Sequence, residues 1–168
     1  MYYVSVHTTH LRYQKWETRV NMAASIAETK EASKAPDAPA WIWMRKMLQE
    51  LGHEGMSSDE SDLEDDDDDD TLAPAFRVKT MPWRRDITHE LDIIDAERRR
   101  DASVYHKQGS KPVHRRRDAD LLTTRPAAVN LPRVFYDDTW FEKLGSRERR
   151  QLRAGSHAFE WANVTAQR

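Results

Sequence analysis

The chain has 168 residues, of which only 29 are Leu, Ile, Val or Phe. This share of about 17% lies below the roughly 20% under which a composition favours disorder, so the sequence excludes a large hydrophobic core. The absence of cysteine excludes disulfide bonds, thiol catalysis and cysteine zinc sites. The net charge of −2 is too small for a polyelectrolyte that is disordered throughout.

Residues 1–54 are predicted to form a helical hairpin. The first helix covers about residues 10–33, where a loose apolar face alternates with charged side chains. The segment Ala35–Pro39 ends it, because proline lacks a backbone donor and disfavours helix in the residue before it. A second helix covers about residues 39–51 and is capped by Gly52. Two helices joined by so short a turn predict an αα-hairpin.

The second predicted helix carries a stripe of large apolar side chains at helical spacing. One interpretation is the core between the two helices. The other is a docking surface for a partner, since tryptophan and methionine are favoured at recognition surfaces. The candidate docking residues are Trp41, Met44, Met47, Leu48 and Leu51.

An acidic segment, residues 57–70, follows the hairpin. Ten of its fourteen residues are Asp or Glu and none is basic. Carboxylates this dense repel one another, so residues 55–74 are predicted to be a solvated, disordered linker. Residues 1–56 carry a net charge of +1 and residues 71–168 a net charge of +7. A neutral head, an acidic bridge and a basic tail indicate an interaction protein more than an enzyme.

Three serines at the start of the acidic segment are candidate phosphorylation sites. Ser57 and Ser61 each have a glutamate three residues later, a spacing that acid-directed kinases select. Ser58 gains the same signal once Ser61 carries a phosphate, which adds about −1.5 to −2 charge. The alternative is a spacer that no kinase modifies.

Residues 75–101 are predicted to hold a short strand and a helix. Ala75–Thr80 alternates apolar and polar residues, which is typical of an edge strand. Asp86 is a candidate N-cap for a helix that continues to Arg100. Residues 102–133 contain scattered Gly and Pro and are predicted to be a flexible basic linker.

Residues 134–168 are predicted to form short helices. Asp138 or Thr139 is a candidate N-cap, and Thr139 with Glu142 matches the capping box. Ser146 is the candidate cap of a further helix that ends before Gly155.

Two basic clusters fit a bipartite nuclear-import pattern or contacts to phosphate groups, because arginine pairs with phosphates and with acidic grooves. The alternative is a solvated linker that balances the acidic segment. With almost no interleaved aromatic residues, nucleic-acid contact would be sequence-tolerant. The candidate residues are Arg98, Arg99, Arg100, Lys111, Arg115, Arg116 and Arg117.

No motif of an enzyme or cofactor site is complete. The chain lacks the glycine-rich phosphate loops, and His89–Ile93 begins like HExxH but has Ile93 in place of the second histidine. We therefore expect no catalytic residues, no cofactor and no metal site. No signal peptide or membrane-spanning apolar run is visible, so we expect a nuclear or cytoplasmic protein that is neither secreted nor bound to membranes.

Several blocks of the chain carry a resemblance. They are Leu51–Asp62, Phe76–Lys79, Pro82–Arg85 and Leu131–Tyr136, followed by Trp140. In this order, GMSSDESD, FRVK, PWRR and LPxxFY, the chain resembles a widespread group of uncharacterised proteins of mushroom-forming, basidiomycete-type fungi. The resemblance covers about residues 41–144 and implies no known fold or activity. It suggests one alternative, a lineage-restricted, mobile-element-associated protein without a defined biochemical activity.

The sequence thus predicts a mostly α-helical protein with extensive disorder: an N-terminal αα-hairpin, an acidic linker, a short strand and further short helices. We expect a non-enzymatic interaction protein whose acidic linker engages a basic partner or its own basic C-terminal half, regulated by phosphorylation. The second alternative is a sequence-tolerant nucleic-acid-binding protein that uses residues 98–153.

Overall fold

The structure is a computed structural model that describes residues 3–57, 59–62, 75–100, 114–155 and 157–162. Most of these residues are helical, as predicted. The helices are α1 (Tyr3–Ala32), α2 (Ala38–Leu51), α3 (Thr88–Arg100), α4 (Asp138–Lys143) and α5 (Ser146–Leu152), with short 3₁₀ turns at His53–Gly55 and Arg133–Phe135. The strands are β1 (Asp59–Asp62), β2 (Ala75–Thr80) and β3 (His114–Leu122).

Helices α1 and α2 pack against each other. The indole Nε1 of Trp16 on α1 donates a hydrogen bond to the Leu48 carbonyl of α2 at 2.7 Å. Helix α1 begins well before the predicted start at residue 10. Helix α2 ends where predicted, because Gly52 has a φ of +64° and its N–H donates to the Leu48 carbonyl at 3.1 Å. A positive φ favours glycine, which lacks a Cβ atom.

The three strands form one sheet in the order β1–β2–β3. Strand β1 pairs antiparallel with β2, from Asp59 opposite Val78 to Asp62 opposite Ala75. Strand β3 pairs parallel with β2. The acidic β1 is therefore an edge strand, and β2 lies between it and the arginine-rich β3.

Two predicted linkers differ from the structure. Residues 59–62, expected to be disordered, form β1, and residues 114–122, expected to be flexible, form β3. Sequence periodicity missed both strands because their residues are largely charged, whereas their backbone N–H and C=O groups are satisfied by pairing with β2.

The caps of the later helices are partly as predicted. The Asp86 carboxylate accepts a hydrogen bond from the Thr88 N–H at 2.9 Å at the start of α3. For α4 the cap is Asp137, whose carboxylate accepts from the Trp140 N–H at 2.8 Å, so the capping box predicted at Thr139 is wrong.

Helix α5 also begins differently from the prediction. Its N-cap residue is Gly145 rather than Ser146, and the Gly145 N–H donates to the Glu148 carboxylate at 2.7 Å. The glutamate in the first turn, not the serine hydroxyl, satisfies the free backbone donor there.

One hydrophobic core joins these elements. It contains residues from α1, α2, α3, α5, the residue after the first 3₁₀ turn, the β2–α3 connection and the segment before α4: Met22, Ala23, Ile26, Ala27, Trp41, Met44, Met47, Leu48, Leu51, Met56, Met81, Trp83, Ile87, Leu91, Ile94, Leu131, Phe135, Tyr136 and Leu152. The C-terminal segment packs on it through Phe159 and Trp161, whose rings lie 5.1 Å and 5.8 Å from the Phe135 ring.

Candidate functional site

Basic side chains from separate parts of the chain converge on Glu54–Ser57, here called the anchor segment. Lys15 of α1 donates a hydrogen bond through Nζ to the Ser57 carbonyl at 2.9 Å. Arg84, between β2 and α3, donates through Nη1 to the Gly55 carbonyl at 2.7 Å. Both acceptors belong to the backbone, so these contacts fix the path of the chain where the acidic segment begins.

Two further arginines complete the set. Arg125, which follows β3, donates to the Met56 carbonyl at 3.0 Å and to the Glu54 carbonyl at 2.7 Å. Arg19 of α1 donates to Met56 Sδ at 3.6 Å. The guanidinium group has five donors in a rigid fork, so one arginine can satisfy two carbonyls that no secondary structure pairs.

The anchor segment is packed as well as hydrogen-bonded. Met56 is fully buried, and Ser57 is 8% exposed. A Cβ atom at Gly55 would lie 2.3 Å from Cγ of Leu51, so a side chain there would displace the end of α2. The glycine of the Gly-Met-Ser-Ser sequence is therefore required by close packing, and not by an unusual φ.

Burial changes the electrostatics of the arginines around the anchor segment. Desolvation lowers the pKa of Arg84 to about 10, partly offset by the nearby Asp86 carboxylate. Desolvation also lowers the pKa of Arg125, while Glu54 acts in the opposite direction. Arg19 forms a two-contact ion pair with Asp95 of α3, at 3.0 Å and 2.6 Å. The cations are held by hydrogen bonds that compensate for their loss of solvation.

The sequence-predicted basic residues are only partly brought together. Arg117 of β3 donates to the Thr88 hydroxyl at 2.7 Å and to the Asp92 carboxylate at 2.6 Å, which ties β3 to α3. Arg115 and Arg116 lie beside Arg117 on β3, and Arg98–Arg100 end α3. Lys111 lies outside the described residues.

The candidate phosphorylation sites have different positions. Ser57 is buried in the anchor segment, so it does not lie in open chain as expected. Ser61 lies on β1, opposite Phe76 of β2. Ser58 lies outside the described residues. Modification of any of the three stays a prediction.

The apolar stripe of α2 forms part of the core, which was the first of its two interpretations. None of the five candidate docking residues is more than 2% exposed, so this conformation offers none of them to a partner: Trp41, Met44, Met47, Leu48 and Leu51.

Within the described ranges, no group of three or more His, Asp or Glu side chains is placed to hold a metal ion. Likewise, no helix among the described residues is both long and apolar enough to cross a membrane.

Sequence reasoning missed the residues that hold the anchor segment, namely Lys15, Arg19, Arg84 and Arg125. Their partners are mostly backbone carbonyls, and a carbonyl has no signature in a sequence. The one available signal was that Gly55 and Arg84 both lie in the blocks that carry the resemblance.

Comparison with known proteins gives no relative from which a role could be transferred. No protein-family model, no curated protein sequence and no solved structure matches the chain.

Proposed function

We propose that the protein is a non-enzymatic interaction protein whose acidic segment engages the basic half of its own chain and exchanges that contact for a basic partner protein. The exchange would take place in the nucleus or cytoplasm, where histone-like and ribosomal proteins offer basic surfaces.

The observation that carries the proposal is the position of β1. The four residues Asp-Glu-Ser-Asp form an edge strand on β2, with Glu60 opposite Arg77 in the backbone register. In turn, Arg77 is opposite Arg116 of β3. The start of the acidic segment therefore lies on the same sheet as the basic sequence that it is proposed to engage.

The chain connectivity supports the same interpretation. Asp62 and Ala75 are paired in the β1–β2 ladder. The aspartate run, residues 65–70, lies between these two positions in the sequence. The strands that precede and follow the run in the sequence are therefore paired with each other, and the second of them, β2, neighbours β3.

An edge strand is suited to exchange. Strand β1 has only four paired residues, and charged cross-strand pairs each contribute only about 0.2–1 kcal/mol. Phosphorylation at Ser61 would add negative charge to β1. It would thereby shift the equilibrium between β1 paired with β2 and β1 bound to a basic partner. Ser57 would have to leave its buried position before a kinase could reach it.

Neutralising β1 tests the proposal. The variant Asp59→Asn, Glu60→Gln, Asp62→Asn keeps the side-chain shapes but removes three charges. Since the one opposite-charge pair in this register, Glu60 with Arg77, contributes up to about 1 kcal/mol, amide hydrogen exchange of β2 should accelerate by up to about fivefold at low salt. A lysine-rich peptide should also bind the variant more weakly than it binds the wild type.

The matched control is Glu17→Gln, Glu28→Gln, Glu31→Gln, which removes the same charge from exposed positions on α1. This control variant should leave the amide hydrogen exchange of β2 unchanged. Equal exchange rates in both variants, or rates in the wild type that do not respond to salt, would contradict the proposal.

A further inference from the structure

A second set of basic side chains lies on α4, α5 and the turn that follows. Lys143, Arg147, Arg150 and Arg153 are all exposed. None of the four side chains forms a hydrogen bond or ion pair with the part of the chain that the structure describes. This distinguishes them from Arg117, which is bound to Thr88 and Asp92.

The local charge of this region is strongly positive. Residues 143–153 contain five basic residues and one acidic residue, Glu148. The Glu148 carboxylate accepts the Gly145 N–H at 2.7 Å, so its nearest role is to cap α5. The exposed arginines consequently have no dedicated counter-charge on their own helix.

The region is fixed to the core, so its charges are held in place. Leu152 is 8% exposed, and its carbonyl accepts a hydrogen bond from the Asn130 N–H at 2.8 Å. Arg149 donates to the Glu142 carbonyl at 2.6 Å and lies over the Phe141 ring, which joins α5 to α4. A charged surface on a rigid element loses less conformational entropy when it binds a ligand.

We propose that residues 143–153 form a contact surface for the phosphate backbone of double-stranded nucleic acid. Arg147 and Arg150 are three residues apart on α5, so their side chains leave the same face of the helix. Arginine dominates the set, and its planar fork matches phosphate oxygens. Contacts to phosphates alone carry no base information, so the binding is independent of sequence.

The surface is separate from the acidic contact proposed above and does not depend on it. It lies within residues 98–153, the range of the nucleic-acid-binding alternative, but Lys143, Arg147, Arg150 and Arg153 belong to neither of the two predicted basic clusters, so the surface narrows that alternative to residues 143–153. The two proposals are related in one respect: the acidic segment is a polyanion, so it would compete with a duplex for basic surfaces.

The test measures binding of a 20-base-pair DNA duplex by fluorescence anisotropy over a range of salt concentrations. In the variant Arg147→Gln, Arg150→Gln, Arg153→Gln, we expect affinity at low salt to fall at least tenfold. Each phosphate contact contributes about 0.9 to the slope of log affinity against log salt, so the slope should fall by up to about 3.

The matched control is Lys34→Gln, Arg45→Gln, Lys46→Gln. These three cations also lack ion pairs within the described ranges, but Asp37 and Glu50 lie near them in the sequence. The control removes the same net charge, but from positions outside residues 143–153. It should therefore change affinity and slope much less. The variant Arg147→Lys, Arg150→Lys, Arg153→Lys should retain most of the slope, which separates loss of charge from loss of structure.

Equal losses in the two glutamine variants would overturn the proposal, because binding would then depend on net charge alone. Binding to vesicles of anionic phospholipid without binding to the duplex would assign the surface to membranes and also overturn it. The proposal would also be overturned if neither the wild-type chain nor a variant with Asp66–Asp70 changed to Asn binds the duplex at the lowest salt.

Discussion

Arg84 and Arg150 carry the same guanidinium group in opposite surroundings. Arg84 is partly buried, its pKa is lowered to about 10 by desolvation, and it donates to the Gly55 carbonyl at 2.7 Å. Arg150 is exposed on α5 and has no partner within the described residues. The first holds the backbone in place, and the second is free to meet another molecule.

The arginines around the anchor segment and the exposed cations on α4 and α5 differ in the same way. The arginines around the anchor segment have exchanged water for carbonyl and carboxylate oxygens, so their removal should cost folding free energy. The cations on α4 and α5 remain hydrated, so their removal should cost little stability and act on binding instead. A count of basic residues does not separate these two roles, whereas stability measurements do.

The largest expected difference in the free energy of unfolding is between the variants Arg84→Met and Arg150→Met. Loss of Arg84 leaves the buried Gly55 carbonyl without its charged donor, which should lower the free energy of unfolding by about 1.5–3 kcal/mol. Loss of Arg150 should change it by less than about 0.5 kcal/mol. Urea unfolding of the two variants measures both values. If the two variants are equally stable, the division into structural and free cations is wrong.

A smaller effect is expected for Arg125→Lys. The charge is kept, but a lysine ammonium on a flexible stem cannot reproduce the planar contacts to the Glu54 and Met56 carbonyls. We expect a loss of about 0.5–1.5 kcal/mol, the contribution of one hydrogen bond, in thermal or urea unfolding. Arg150→Lys, at an exposed position of α5 without a partner among the described residues, is the control. An unchanged stability of Arg125→Lys would show that charge alone is needed at this position.

The smallest effect is expected at Arg117, which is paired but partly exposed. Its side chain is 39% exposed and that of Asp92 is 59% exposed. The coupling energy from Arg117→Gln, Asp92→Asn and the double variant should be about 0.2–1 kcal/mol and should decrease with salt. A coupling energy well above this range would place Arg117 with the structural arginines of the anchor segment.

The elements that sequence reasoning found are those whose signal is local. The apolar stripe that includes Trp41 and Leu48 indicated α2, Gly52 indicated its end, and Asp86 indicated the start of α3. Each of these depends on residues within one or two turns.

The elements that it missed depend on distant partners. The arginines of β3 were interpreted as a flexible linker because like charges repel, but pairing with β2 outweighs that local preference. The candidate site was missed for the same reason, since Arg84 and Arg125 meet carbonyls that are 29 and 69 residues away along the chain. Tertiary contacts of this kind leave no periodicity in a sequence.

The pairing of Asp62 with Ala75 also limits how far the aspartate run can reach. Twelve residues join these two positions in the sequence, and a chain of six residues spans at most about 20 Å when fully extended. Confinement to such a radius corresponds to an effective concentration in the millimolar range for nearby basic surfaces. Under the proposed exchange, a basic partner would therefore compete with a polyanion on the same chain, whose local concentration does not depend on the concentration of the protein.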